Sequence, residues 1–179
     1  MSAAQIFTQK LILTMKKEGT QKTLSKGAFL IREGDVEKNL YYIESGAVRA
    51  FLLSEFEEQT IRFGYEGSII NSLSSYITGK PSAFYIEAMR KTTVRILPKE
   101  NVLRLVNKDA ESLQGYIALL ETVITQQIER ENDLLTTSPT ERLRRVLQRS
   151  PMLFQEVPLK YIASYLRMTP ETLSRVRNP

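Results

Sequence analysis

The chain has 179 residues, 42% of them hydrophobic, with 25 Lys+Arg against 20 Asp+Glu, enough for one domain with an appendage or two small ones around a real core. It contains no Cys and no His, which excludes disulfides, thiolate or imidazole catalysis, and the ligands of zinc, haem and iron–sulfur sites. Cupin-like jelly-roll enzymes depend on His-rich metal sites, and no acidic cluster is spaced for a hard cation, so neither catalysis nor a metal or cofactor is expected.

Ile6, Leu11, Leu13 and Met15 predict a short amphipathic lead-in helix ending near Gly19. Lys10, Lys16 and Lys17 follow its apolar residues, the wrong order for a signal peptide. No run approaches the roughly 18 apolar residues of a membrane helix. A cytoplasmic chain with no membrane segment is expected.

From Gly27 to Pro98 short β-branched runs alternate with turn signals. Strands are predicted at Ala28–Ile31, Leu40–Ile43, Ala47–Leu53, Thr60–Tyr65, Phe84–Ala88 and Thr93–Leu97. Gly34-Asp35, Ser45-Gly46, Glu66-Gly67 and Gly79-Lys80-Pro81 break them, a grammar that indicates a small antiparallel roll or jelly roll. Five of the eight glycines fall between 27 and 67 and none lies beyond Gly115, so β and α parts are segregated and the fold class is α+β.

Leu113, Ile117, Leu120, Ile124 and Ile128 step by four, three, four and four residues, the stripe of a long helix over Ala110–Leu135. Gln126, Gln127, Glu129 and Arg130 flank it, which fits a dimer seam; the alternative is a face packed on the roll. Thr136 and Thr137 follow as a hinge. Ser138-Pro139-Thr140-Glu141 has the form of a complete capping box and opens a helix that Arg142, Arg144, Arg145 and Arg149 make basic. That basic face is either solvated or set against a nucleic-acid backbone.

Leu159–Leu166 then forms a helix with Ile162, Tyr165 and Leu166 inward and the small Ala163 at a close approach. Thr169-Pro170-Glu171 opens another through Val176. Residues 136–179 hold 8 Lys+Arg and 3 Asp+Glu, a balance of +5, which leaves residues 1–135 neutral. Such a charged helical pair suits double-stranded DNA, because phosphate neutralisation supplies most non-specific affinity. Glu171 and Arg175 share a face, and arginine can grip guanine O6 and N7 while glutamate accepts from cytosine N4. Thr169, Thr172, Ser174, Arg177, Arg142 and Arg144 are assigned to the DNA backbone. The bland alternative for Glu171 and Arg175 is a surface ion pair worth a few tenths of a kcal/mol.

Together, Lys26-Gly27, Arg32-Glu33-Gly34-Asp35, Leu40 through Arg49, Ile86-Glu87-Ala88, Tyr161 through Leu166 and Thr169 through Arg175 resemble the bacterial cyclic-AMP receptor and fumarate-nitrate regulator (Crp/Fnr) superfamily. The resemblance covers nearly the whole chain. It implies a cyclic-nucleotide-binding-like β-roll at 1–108, a dimerisation helix at 109–135 and a helix-turn-helix at 136–179, winged-helix-like with the wing short or missing where the sequence stops at Pro179. It also implies a homodimeric transcriptional regulator on an inverted-repeat operator, with RNA polymerase as a further partner.

Three departures accompany it. The Gly-Glu and Arg-Ser pairs that hold a cyclic nucleotide in such proteins are matched by Asn71-Ser72 and Ser82-Ala83, so the phosphate grip and the ribose acceptor are missing. A degenerate pocket that does not take cyclic AMP in the usual mode is expected, with Asn71, Ser72, Lys80, Ser82 and Arg62 as residues for an unknown small anionic effector, or else an empty roll used as scaffold. Arg49 and Arg90 lie near this segment in sequence or on neighbouring strands; Tyr76, Phe84 and Tyr85 are read as core. Arg167 stands where such turns often carry Gly, and Pro170 replaces the family's arginine at the start of the reading helix. A different reading makes the chain a ligand-sensing or protein-interaction module whose terminal helices bind a protein instead of DNA.

Overall fold

The computed structural model describes residues 1–55 and 57–177. Helix α1 (Ala3–Glu18) begins at Ser2, whose hydroxyl accepts from the Gln5 N–H while the Gln5 side chain accepts from the Ser2 N–H. Its buried face is Ala4, Phe7, Leu11 and Met15, at helical spacing. Leu13, expected inward, is 67% exposed, and Ile6 is exposed too. Leu13 is two residues from both Leu11 and Met15, about 200° round the helix, because α1 turns Phe7, Leu11 and Met15 to the body of the molecule.

Eight strands follow: β1 (Thr20–Leu24), β2 (Phe29–Ile31), β3 (Asn39–Ser45), β4 (Ala47–Leu53), β5 (Glu58–Tyr65), β6 (Ile69–Ile70), β7 (Tyr85–Ala88) and β8 (Thr92–Pro98). They make two four-stranded antiparallel sheets, ordered β1-β8-β3-β6 and β2-β7-β4-β5. Ile43, Val48, Ile70, Ile86 and Val94 fill the space between them. The β3–β4 corner turns on Gly46, at φ +93°, where an added Cβ would sit 2.5 Å from the Lys91 carbonyl oxygen. All six predicted strands are present within a residue or two of their bounds. β1, β6 and the helices α2 (Leu73–Thr78) and α3 (Lys99–Val106) were not foreseen.

Helix α4 (Ala110–Leu135) starts at Asp109, whose carboxylate accepts from the Ser112 N–H at 2.7 Å. One side of α4 packs on α1. Gly115 permits the approach, since a Cβ there would lie 2.7 Å from Phe7 Cβ, and Phe7 meets Tyr116 edge-on with ring centroids 5.8 Å apart. Leu113, Ile117, Ile124 and Ile128 lie on the other side, exposed, with Leu120 half-buried. No helix among the described residues is long and apolar enough to cross a membrane.

The C-terminal part consists of α5 (Pro139–Arg149), α6 (Leu153–Glu156), α7 (Leu159–Tyr165) and α8 (Pro170–Arg177). At the start of α5 the Ser138 hydroxyl accepts from the Glu141 N–H at 3.3 Å. The reciprocal half of the expected capping box is replaced: the Glu141 carboxylate takes two bonds from Arg144, at 2.7 and 2.5 Å. A charged fork outcompetes one backbone amide for the same oxygens. These helices do not stand apart from the roll. Leu143, Val146, Leu153, Ile162, Leu166 and Leu173 share one apolar cluster with Ala47, Phe63 and Tyr65 of the sheets and Met89 just after β7.

Candidate nucleic-acid interface

Helix α7 is short and closes with a double bond pattern. The Met168 N–H donates to Ala163 O at 3.0 Å and the Arg167 N–H to Ser164 O at 3.2 Å, the paired closure that normally carries glycine at its left-handed position. Here that position is Arg167, at φ +54°, a conformation costing a residue with a Cβ on the order of 1 kcal/mol. The chain then enters α8, where the Thr169 hydroxyl accepts from the Thr172 N–H at 3.2 Å and Pro170 occupies the first helical position. Leu173 is buried against α7 and α5, so the remaining faces of α8 point outward.

Glu171, Ser174, Arg175 and Arg177 are exposed on that outward surface. Glu171 and Arg175 are not ion-paired with one another. Hydrogen bonding to its own backbone N–H, and secondarily to Thr169, holds the pKa of Glu171 below the usual carboxylate value. Arg175 makes no ion pair among the described residues. Thr172 is half-buried and accepts from Thr169. Arg177 lies over the Phe154 ring at 4.9 Å.

The basic helix α5 is largely committed internally. Arg142 donates from Nε and Nη2 to Thr136 O at 3.0 and 2.7 Å, and from Nη1 to Leu166 O at 2.6 Å. It ties the end of α4 to the turn before α8, so Arg142, expected at a phosphate, instead spends Nε, Nη1 and Nη2 on backbone carbonyls of its own chain. Arg145 and Arg149 both reach the fully buried carboxylate of Asp133 in α4, and Arg145 also reaches Glu129 at 3.0 Å. Arg144 is exposed, in its fork with Glu141. The local balance of +5 therefore overstates the free charge, since acids from before residue 136 neutralise part of it.

The bihelix is held on the roll by residues that the sequence reading treated as possible pocket lining or did not single out. The Ser164 hydroxyl donates to Glu58 O at 3.0 Å and accepts from the Thr60 N–H at 2.9 Å. Arg49 is buried; it bonds Glu87 at 2.8 Å and stacks under Tyr161 of α7 at 4.2 Å. Arg90 pairs with Glu156 of α6. Neither Arg49 nor Arg90 belongs to an effector site. No local pattern announces these pairings, which join residues far apart in the chain.

Of the expected effector residues, two are closed off. The Ser72 and Ser82 hydroxyls are buried and bonded to one another at 2.9 Å, and Ser82 also donates to Phe84 O. Beneath them the buried Glu37 carboxylate accepts from the N–H groups of Lys38 and Asn39 and from the Tyr41 hydroxyl; desolvation, the largest influence, raises its pKa despite these bonds. Lys80 is exposed and lines neither cleft described below. Polar closure between neighbouring loops thus corrects the assignment of Ser72 and Ser82, and Lys80 is set apart by its place on the open surface. Tyr76 is core, as read; Tyr85 stacks on Phe51 with ring centroids 5.2 Å apart.

Asn71 and Arg62 do line a cleft. A cavity of about 410 Å³ lies between the roll and α4, with Asn71, Arg62, Phe84, Gln127, Arg130 and Arg167 in its wall. A neighbouring cleft of about 620 Å³ shares Arg62, Gln127 and Arg130 and reaches Arg149 and Tyr165. Arg62 donates to Gln127 Oε1 at 3.1 Å, and burial lowers the pKa of both Arg62 and Arg130.

Residues 21–109 match the family model described as the cyclic nucleotide-binding domain. The chain is 26% identical over 168 residues to the fumarate and nitrate reduction regulatory protein of Vibrio cholerae, covering 87% of this chain and 66% of that protein. It is likewise 26% identical to the nitrogen fixation regulation protein FixK of Rhizobium meliloti, over 86% of this chain and 72% of the relative. The chain thus resembles regulators of the Crp/Fnr family. Its fold is that of FixK2 from Bradyrhizobium japonicum, with a TM-score of 0.75 at 21% identity over 89% of this chain and 82% of that one. A CooA mutant from Carboxydothermus hydrogenoformans gives a TM-score of 0.71 at 22% identity, over 90% and 76%. This chain thus spans just under two thirds of the Vibrio relative's length.

Proposed function

We propose that the chain is a sequence-specific, DNA-binding transcriptional regulator and not an enzyme. The observation that carries this is α8: a helix anchored through Leu173 whose outward surface presents Glu171, Ser174 and Arg175 at the protein surface. Such a helix fits the major groove, where its early residues meet base edges. In this reading Glu171 and Arg175 read bases, while Thr169, Thr172, Ser174, Arg177 and Arg144 set register on phosphates. The outward surface carries no large apolar anchor, which favours DNA over a protein partner.

The exposed stripe Leu113, Ile117, Ile124 and Ile128, with Leu120, supports a homodimer through α4, each partner supplying one α8 to an inverted repeat. The units are 1–108 as sensor, 109–135 as dimerisation helix and 136–179 as DNA-binding part. Closure of Ser72 on Ser82 supports a sensor that does not take cyclic AMP in the usual mode. The resemblance to these regulators supports a cytoplasmic protein working with RNA polymerase.

Selection from random duplexes tests the reading. Enrichment of a palindrome with half-sites about one helical turn apart is the expected result; no enriched sequence at any salt concentration would refute it.

A further inference from the structure

Within α4, Asp133 is the one charged residue that is buried, and its carboxylate is fully enclosed. Arg145 Nε donates to one of its oxygens at 2.9 Å and Arg149 to the other. Glu129, one turn earlier in α4, accepts from Arg145 at 3.0 Å and lies 3.8 Å from Arg149. Two acids spaced i,i+4 thus meet two arginines spaced i,i+4, a ladder across the turn at 136–138. The neighbours of Asp133 supply no apolar lock, since Asn132, Leu134 and Leu135 are exposed.

A buried ion pair contributes little stability relative to apolar side chains of similar volume, whereas a buried carboxylate left unpaired is among the costliest states of a protein interior. The ladder therefore acts by forbidding alternatives. Apolar contact is non-directional and lets α5 slide; the ladder does not. Turning α5 by one residue swings its side chains by about 100° and strips Asp133 of both donors. On its other side α5 carries α8, because Leu143 and Val146 share the apolar cluster of Leu173. Asp133 in this way governs where the outward surface of α8 points without touching it.

We propose that Asp133 is a positioning residue for operator spacing: through Arg145 and Arg149 it fixes α8 relative to the dimer helix α4 and so restricts the protein to one separation of half-sites. The inference rests on the proposed function and its α4 seam. One added base pair moves a half-site by about 3.4 Å and turns it by about 35°. Shared between two protomers, a shift of about 1.7 Å still takes bonds of 2.9 and 3.0 Å out of hydrogen-bonding range. A change of spacing therefore breaks the ladder.

Competition binding with the full chain tests this on the selected palindrome and on versions one base pair longer and one shorter between half-sites. Wild type should lose about tenfold or more with either change, because the geometry then forbids simultaneous engagement. Asp133→Leu, Arg145→Met and Arg149→Met, combined, replace the ions by apolar side chains. This variant should melt no lower than wild type, select the same half-site, and bind all three spacings within about threefold of one another. Asp133→Asn alone should relax the spacing likewise. Because the chain has no Cys, a nitroxide on Ser174→Cys, an exposed position of α8, reports the distance between the two α8 helices of a dimer without DNA. One narrow distribution is expected with Asp133 in place, and a broad one in the combined variant. Spacing discrimination preserved in both variants, or a label distance equally narrow or equally broad with and without the ladder, would overturn the proposal. The absence of any enriched duplex would sink the regulator reading alone, and the label distances would still judge the ladder.

Discussion

Arg142 Nη1 donates to the carbonyl oxygen of Leu166 at 2.6 Å, across 24 residues of sequence. With its other donors on Thr136 O, this arginine closes the C-terminal ends of two helices at once. Arg142→Ala should therefore cost about 2 to 3 kcal/mol in urea unfolding, the range for hydrogen bonds from a charged donor. Arg144→Ala, removing an exposed i,i+3 pair, should stay within about 0.5 kcal/mol of wild type. Equal effects would mean that the Arg142 bonds contribute nothing to stability.

Arg175 makes no ion pair among the described residues, and this separates two roles. Arg175→Ala should weaken operator binding by about 1 to 3 kcal/mol and relax one position of the selected sequence. Arg144→Ala should weaken binding to every duplex alike and reduce the salt slope by about one unit. Equal loss on operator and random DNA for Arg175→Ala would remove that residue from base reading.

The exposed side of α4 gives a prediction of assembly. Ile124 and Ile128 are exposed, so Ile124→Glu leaves the fold of one chain intact but places like charges across a two-fold seam. Sedimentation should show a monomer with unchanged circular dichroism and operator affinity reduced at least about tenfold. A dimer persisting in Ile124→Glu and in Ile117→Glu would move the interface elsewhere.

Glu37 links stability to pH. Burial lifts its folded-state pKa above the ordinary 4.5, so the folded protein holds this proton more tightly than the unfolded chain. The contribution is fully present below 4.5 and is lost as the pH rises through the raised folded value. Glu37→Gln cannot titrate. Urea midpoints taken stepwise from pH 4 to about 8 should show the difference between variant and wild type shifting toward the variant above that ordinary value, then levelling. A constant difference across the range would contradict the raised pKa.

The roll was legible because its strands are bounded by glycine turns and some, β3 and β7 among them, bury alternate residues; β4, at Ala47–Leu53, was legible to the residue from its turns and apolar run, with Ala47 through Phe51 all buried. β1 was not, since four of its five residues are exposed and only Leu24 is buried, leaving no alternation to read. The turn at Arg167 was legible from a missing glycine, and its positive φ follows. Arg62 could be singled out by charge alone. Arg130 read only as a flank of the long helix, because Tyr165, which gives it meaning, lies 35 residues away. For the same reason Arg142 looked free: nothing near it in sequence marks the Leu166 carbonyl as its acceptor.

Ala47 of β4 and Met89, just after β7, are buried in one apolar cluster with Leu143, Ile162 and Leu173 of the terminal helices. The roll and the terminal helices therefore lack separate hearts and should melt as one cooperative unit, in a single calorimetric transition. A head severed at Thr136–Thr137 would carry a naked greasy face into water and aggregate. Any signal that lifts the helices from the roll must accordingly offer that face another cover.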